Sequence, residues 1–518
     1  MNGAQALLRS LVASGVDVCF ANPGTSEMHF VAALDAEPRM RAVLTLFEGV
    51  ATGAADGYAR MADKPASTLL HLGPGLGNGL ANLHNARRAG SPVVNVVGDH
   101  ATHHVKYDAP LQSDIDAMAG SVSGWVRRST SPHDVAGDAA AAVSAARAGR
   151  VATLVLPADA SWGDADDHEE AAPLPAAARP TAEADAIRDA ADALGSGEPS
   201  VLLIGGDATR AAGLAAANRI AAATGAKLLA ETFPTRLERG AGVAPVDRLG
   251  YLVDMATHQL GGARHLVLVG ARSPVSFFAY PDKPGDLVPD GCRVHEVVGK
   301  QGAAALALEE LADFVAPGTA PVLATAARPP LPTGPLTVEK AAAVVGALLP
   351  EGAIVVDEAV TSGLGLPGAT AGAPRHDWLT LTGGSIGYGL PAATGAAVAC
   401  PDRPVWCLEA DGSAMYTISA LWTHAREGLD VTTVVYNNSA YAILRMELMQ
   451  VGATASGDRA RALFDLGRPV LDFVAIATGM GVPATRVDTA EGFADALHRA
   501  GAEPGPHLIE TVVPPLVP

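Results

Sequence analysis

The sequence is poor in aromatic residues, 4% of its 518 positions, and holds only four cysteines. Cys19, Cys292, Cys400 and Cys407 form no C-x-x-C pair and no zinc-ligand spacing, so all four read as buried, reduced thiols. Basic residues are scarce too: 36 Lys and Arg against 55 Asp and Glu leave a net charge of −19. With no cluster of positive charge to meet phosphate, nucleic acid and anionic membrane surfaces are excluded as partners. No uncharged apolar run approaches the ~20 residues that a bilayer span needs. The opening MNGAQALLRSLVASG reads as an amphipathic helix and not as a basic stub with an apolar core. No signal peptide is evident, and a soluble, cytoplasmic protein is expected.

Glycine is what the chain has in quantity, with 56 residues, and 49% of the sequence is hydrophobic. Short apolar runs alternate with Ala-rich helical stretches, which predicts an α/β protein of parallel sheets covered by helices on both faces. The length suggests about three domains. Two Pro-rich stretches divide it: WGDADDHEEAAPLPAAARPTAEADA after the strand VATLVLPAD (151–159), and VAPGTAPVLATAARPPLPTGPLT at 315–337. The expected domains are 1–165, 185–318 and 336–518. The middle one has its own units at VLLIGG (201–206), AKLLAET (226–232) and HLVLVGA (265–271). Ligands in such folds sit outside the carboxyl ends of the strands.

One strand end stands out. In CLEADGSAMY (407–416) an apolar run stops at acidic residues, a glycine and a serine, and a helical stretch follows. Asn438 lies 27 residues beyond Asp411, at the end of a second strand, Val431–Tyr436. An Asp after one strand and an Asn after the next, with one helix between, place two oxygen ligands on one sheet edge. Mg²⁺ takes a few such ligands and completes its shell with phosphate and water. A helix starting near Ser413 adds N–H groups and a positive dipole end. Asp411 and Asn438 are therefore candidates to clamp a diphosphate through Mg²⁺, although singly each also fits a helix cap or a turn.

The segment DGSAMYTISALWTHAREGLDVTTVVYNNSAYAILR (411–445) resembles the diphosphate motif of thiamine diphosphate enzymes, which runs Gly-Asp-Gly to Asn-Asn. More narrowly it resembles benzoylformate decarboxylases and their acetolactate synthase relatives. The resemblance covers the chain in domain order and is strongest at 20–80 and 380–445. It implies three open parallel-sheet domains: pyrimidine-binding, middle and diphosphate-binding. It implies Mg²⁺ on Asp411, Asn438 and the carbonyl of Ala440, with Gly412, Ser413 and Tyr441 beside the cofactor. The motif's first Gly is Ala410 here, which matters only if that position needs a positive φ. TLTGGSIGYGLPAATGAA (380–397) resembles the family's cofactor-bending loop. That places Ile386 at the bulky position and the Gly384 carbonyl against the 4′-amino group. In DEAVTSG (357–363), Thr361 and Ser362 are candidate donors to the diphosphate.

AVLTLFEGVATGAADGYAR (42–60) puts Glu48 between an apolar strand and a small-residue helix. Alone, it reads as a helix-start Glu favoured by the dipole. The resemblance places it where the family's catalytic Glu meets the aminopyrimidine, with the two ends of the cofactor gripped by different subunits, hence a homodimer or homotetramer. Thr25 of ANPGTSE (21–27) matches a substrate-binding Ser of the decarboxylase. His71 of LLHLGPGLGN (69–78) matches its first catalytic His, the alternative being a strand-end His satisfied by backbone. Gln112 of YDAPLQSD (107–114) matches a Gln of the synthases. His103 and His104 read as loop residues.

Departures mix the two patterns. The decarboxylase's second catalytic His corresponds to Phe277 or Phe278 of SPVSFFAYPDKPG (273–285), and Glu447 replaces an aromatic. The GPG after His71 is synthase-like. No G-x-G-x-x-G fingerprint occurs, so FAD is not expected. The implied activity is a decarboxylase or carboligase of 2-oxo acids using thiamine diphosphate and Mg²⁺. An acetolactate synthase proper and a catalytically silent cofactor-binding paralogue are the alternatives.

Overall fold

A computed structural model describes residues 1–165, 171–175, 178–453 and 457–515. The strand Val151–Pro157 gives way directly to a short helix, Ala158–Trp162, and the acidic Pro-rich stretch beyond it lies partly outside the described residues. No helix or strand occurs between Val315 and Val338.

Three parallel-dominated sheets organise the chain. The first runs Arg41–Leu44, Val18–Ala21, Ala66–Leu70, Val93–Asp99, Val151–Pro157, Trp125–Arg128, all parallel. Its central strands are buried on both faces, which is why VVNVVGD and VATLVLP carry no outward polar alternation. The second sheet has five parallel strands, centred on Ser200–Ile204, Lys227–Ala230 and His265–Val269. The third places His507–Val512, Val431–Asn437, Val405–Ala410, Ile354–Glu358 and His376–Thr380 side by side and parallel. Its edge is closed by Leu237–Arg239, an antiparallel strand lent by the middle stretch, with Trp378 opposite Leu237. No helix among the described residues is long and apolar enough to cross a membrane.

The helix Glu48–Ala62 explains the small residues of GVATGAADGYAR, for it packs backbone to backbone on Gly389–Ala399. A methyl on Gly57 would come within 2.1 Å of the Ala392 carbonyl oxygen, and one on Gly395 within 1.9 Å of that of Ala54. Both helices are almost wholly buried, so the hydrophobic clusters of the first and third sheets merge here.

One buried ion pair ties all three parts. Arg60 and Asp56 side chains are 0% exposed and meet at 2.6 Å. Arg60 also donates to the Thr380 carbonyl at 2.8 Å, the Tyr388 hydroxyl at 2.8 Å and the Thr235 carbonyl at 3.3 Å. Removing one partner of a buried pair strands the other. Arg60→Ala should therefore lower unfolding stability by about 3 kcal/mol, read as a lower urea midpoint.

Candidate active site

The carboxyl edge of the first sheet gathers five acid–base and amide side chains. Glu48 is the first residue of its helix, 7% exposed, and accepts from the Asn78 amide at 2.9 Å. His71 closes the strand Ala66–Leu70 as the cap residue of the helix Leu72–Ala89. Its Nδ1 meets Glu27 Oε2 at 2.8 Å, and the same oxygen accepts from the Gly24 N–H at 2.8 Å. Glu27 is 1% exposed, and burial pushes its carboxyl above the ordinary range, opposed by the imidazole. Thr25 stands exposed at the start of the turn that carries Glu27.

Two glycines make this packing possible. A methyl on Gly24 would fall 2.3 Å from the His71 ring, and one on Gly98 would fall 1.8 Å from Glu27 Oε1. Gly98→Ala should thus push Glu27 off His71 and, if His71 carries protons as the resemblance implies, lower turnover by about tenfold or more, the lower part of the general acid–base range. Cofactor affinity, measured by calorimetry, should hold. Gln112 follows on the loop after Val93–Asp99, with its Oε1 buried and without a partner among the described residues. Its neighbour Ser113 lies against Gly73, where a methyl would reach 1.8 Å from Ser113 Oγ, so the loop sits on the His71 turn. His103 and His104 lie in a turn, and no group of His, Cys, Asp or Glu that could hold a metal exists among the described residues.

The carboxyl edge of the third sheet gathers the remaining candidates. Asp411 directly follows Val405–Ala410 and begins the helix Asp411–Thr417, two residues earlier than Ser413. Its Oδ1 accepts from the Gly412 N–H at 2.8 Å and its Oδ2 from the Asn438 N–H at 3.2 Å. Burial pushes its carboxyl up to about 6 against these amides. Asn438 turns its Oδ1 to the Ala440 N–H at 3.0 Å. Gly412 leaves room for the Tyr441 ring, which a methyl would meet at 2.3 Å. Ser413, Thr361 and Ser362 are buried, and Ile386 is half-buried. Ala410 sits at φ −83°, so the position needs no glycine.

Glu358 and Glu409, which sequence reasoning left unassigned, support the loop of Gly384 and Ile386. Glu358 accepts from the N–H groups of Gly387, Tyr388 and Gly389 at 2.9, 2.8 and 2.6 Å. Glu409 lies against it, and burial of both carboxyls raises Glu358 to about 7 and Glu409 well above the usual range. An acidic residue at the end of an apolar run was their one sequence signal.

Non-glycine residues with positive φ mark both edges. Leu72 (φ 49°) follows His71, Val360 (φ 49°) precedes Thr361, and Ser439 (φ 53°) lies between Asn438 and Ala440. Such backbone costs roughly 1–3 kcal/mol at each position and persists only where its surroundings impose it. The two edges communicate through Asn82, which donates to the Gly49 carbonyl at 2.9 Å and to the Gly387 carbonyl at 3.1 Å.

Residues 1–119 match the family model of the thiamine pyrophosphate enzyme N-terminal TPP binding domain, and residues 366–511 that of the C-terminal TPP binding domain. The protein named "Putative acetolactate synthase large subunit IlvX" from Mycobacterium tuberculosis is 67% identical over the full length of both chains. Benzoylformate decarboxylase of Pseudomonas aeruginosa is 30% identical over 96% of each. Among solved structures, the thiamine diphosphate-dependent 4-hydroxybenzoylformate decarboxylase of Rhodococcus jostii RHA1 superposes with a TM-score of 0.85 at 26% identity, covering 99% of each chain. With both TPP binding domains matched and relatives aligned end to end, the chain belongs to the thiamine pyrophosphate enzymes, in the group of the benzoylformate decarboxylases and acetolactate synthases.

Proposed function

We propose that the protein binds thiamine diphosphate through Mg²⁺ and uses it to remove CO₂ from a 2-oxo acid. The observation that carries the reading is the pair of edges just described: buried Glu48 with His71–Glu27 on one sheet, Asp411 with Asn438 on another. The donor set fits the metal. Asp411 is a buried carboxylate opposed only by backbone N–H groups, and a divalent ion would supply the missing positive charge. Asp411, the Asn438 amide oxygen and the Ala440 carbonyl would hold it, the amide turning from the Ala440 N–H. The helix start at Gly412 and Ser413, with Thr361, Ser362 and Tyr441, would hold the diphosphate. Gly384 and Ile386 would hold the pyrimidine.

Bound there, the cofactor would supply an electron sink for the pair left when CO₂ departs. Glu48 would keep its proton at the pyrimidine ring nitrogen, steadied by Asn78. His71 would move a proton to or from the substrate oxygen, with Glu27 fixing its ring. Thr25 and the Gln112 amide would orient carboxylate and carbonyl. Glu48 and Asp411 would come from neighbouring subunits, so that the working unit is at least a homodimer. A second reading, condensation of two 2-oxo acids as in acetolactate synthase, draws support from Gln112, whose buried oxygen has no partner among the described residues.

The test is CO₂ release, with product identification, from the Mg²⁺–thiamine diphosphate form over a panel of 2-oxo acids. An aldehyde would favour the decarboxylase and a 2-hydroxy-3-oxo acid the synthase. No release with cofactor bound would overturn both readings.

A further inference from the structure

The middle sheet reaches the candidate site through a cluster that neither reading accounts for. The helix Ala442–Gln450 follows the Asn438 loop, and its Glu447 is gripped from the middle stretch by two phenols. Tyr251 donates to Glu447 Oε1 at 2.8 Å and Tyr280 to Oε2 at 2.8 Å. Burial and the facing carboxylate raise both phenols, Tyr280 to about 12, so each keeps its proton to donate. Both oxygens of Glu447 are thus engaged, and the carboxylate is turned toward the middle domain.

The clamp passes its position on to an aromatic ring. Tyr251 lies 5.2 Å from Phe277, ring centre to ring centre, and Phe233 packs edge-on to Phe277 at 5.9 Å. Phe278 backs the same ring edge-on at 5.0 Å. Three aromatic neighbours leave Phe277 little freedom to swing. Its tip covers Gly384, where a methyl would touch the ring at 2.6 Å, yet 42% of Phe277 stays exposed. Leu444, also 42% exposed, stands one turn before Glu447 on the same helix face.

Resting on the proposed reading of Gly384 as the pyrimidine-binding loop, we infer that Phe277 is the specificity-determining wall of the acyl pocket, restricting it to 2-oxo acids with short, uncharged aliphatic side chains, and that Glu447 is the positioning residue that holds this wall through Tyr251 and Tyr280. A fixed ring above Gly384 takes the volume that a bulky side chain would need. Phe277 and Leu444 offer apolar surface, and both oxygens of the Glu447 carboxylate are already satisfied.

The test compares the wild type with Phe277→Ala, Phe277→Leu and Glu447→Gln, using 2-oxobutanoate and phenylglyoxylate as short and bulky substrates. The matching acyl phosphonates, titrated by calorimetry into the Mg²⁺–thiamine diphosphate form, give a readout independent of turnover. Phe277→Ala should shift the kcat/KM ratio toward the bulky acid by about tenfold or more, the scale of a change in pocket volume. The phosphonate Kd ratio should move the same way, with cofactor affinity unchanged. Phe277→Leu should fall between, and Glu447→Gln should shift both ratios in the same direction by a smaller factor. A wild type that favours the bulky phosphonate, or ratios that stay fixed in Phe277→Ala and Phe277→Leu, would overturn the wall. Ratios that stay fixed in Glu447→Gln alone would overturn the clamp. If no 2-oxo acid releases CO₂ while the phosphonate ratios move as stated, the reaction fails and the pocket stands.

Discussion

Asp411→Asn should make the metal-free protein more stable at neutral pH while abolishing Mg²⁺-dependent binding of thiamine diphosphate. In the folded, metal-free chain the carboxyl titrates at about 6 instead of 3.8, because burial penalises its charged form. The folded state therefore binds its proton more tightly than the unfolded chain does. The stability associated with that proton is complete below 3.8 and is lost as pH rises through about 6. At pH 7.5 the ionised group then costs about 3 kcal/mol. An amide removes this cost but turns an N–H₂ toward one of two backbone donors, a loss of about 1 kcal/mol. The net gain is about 2 kcal/mol. Urea unfolding in EDTA at pH 7.5 and pH 5 reads it: the wild type should gain on acidification relative to the variant. Calorimetry with Mg²⁺ should show cofactor affinity down by at least about a hundredfold, beyond what loss of a group that merely supports a ligand produces. A destabilised apo variant would show that burial does not penalise the carboxylate, and unchanged affinity would remove Asp411 from the metal site.

Glu48→Gln is expected to cut turnover by about a thousandfold, within the range of general acid–base catalysis, and to leave cofactor affinity within a few-fold of wild type. Glutamine keeps the size of the side chain and can still accept from Asn78 through its oxygen, so the fold around Gly75 and Asn78 should persist. What disappears is the ability to hold and release a proton. Exchange of the cofactor's C2 proton, followed by NMR with quenched mixing, should slow in parallel. Asn78→Ala removes only the steadying amide and should give a loss of about tenfold, the size of a lost supporting contact. Full activity of Glu48→Gln would show that the carboxyl has no part in proton transfer.

Local pattern made much of the architecture readable. The alternation of VVNVVGD-like runs with Ala-rich segments points to parallel sheets, because strands covered on both faces need no polar alternation. Asp411 and Asn438 were readable because they directly follow two adjacent strands, so one spacing brings them together. Glu27 was not, although it sits in the quoted ANPGTSE. Its partner His71 is 44 residues away, and only the sheet register brings the two to 2.8 Å. Glu358 escaped for the same reason, and Glu447 was visible only as a replaced aromatic: the partners of each come from another part of the chain. Ala410, a departure from the family motif, is resolved by its ordinary φ of −83°.

The strand Leu237–Arg239 bears on the modularity of the chain. Cut at its Pro-rich linkers, the C-terminal fragment 336–518 would lose the strand that pairs with His376–Trp378, along with the Glu238–Arg375 and Arg236–Asp377 contacts. Its sheet would then end in a row of unpaired N–H and C=O groups, a template for association with other chains. The fragment should aggregate on expression, whereas one extended to include residues 235–240 through a flexible tether should not. Linkers mark where the polypeptide can be cut; the autonomous folding unit is drawn by hydrogen bonds that cross them.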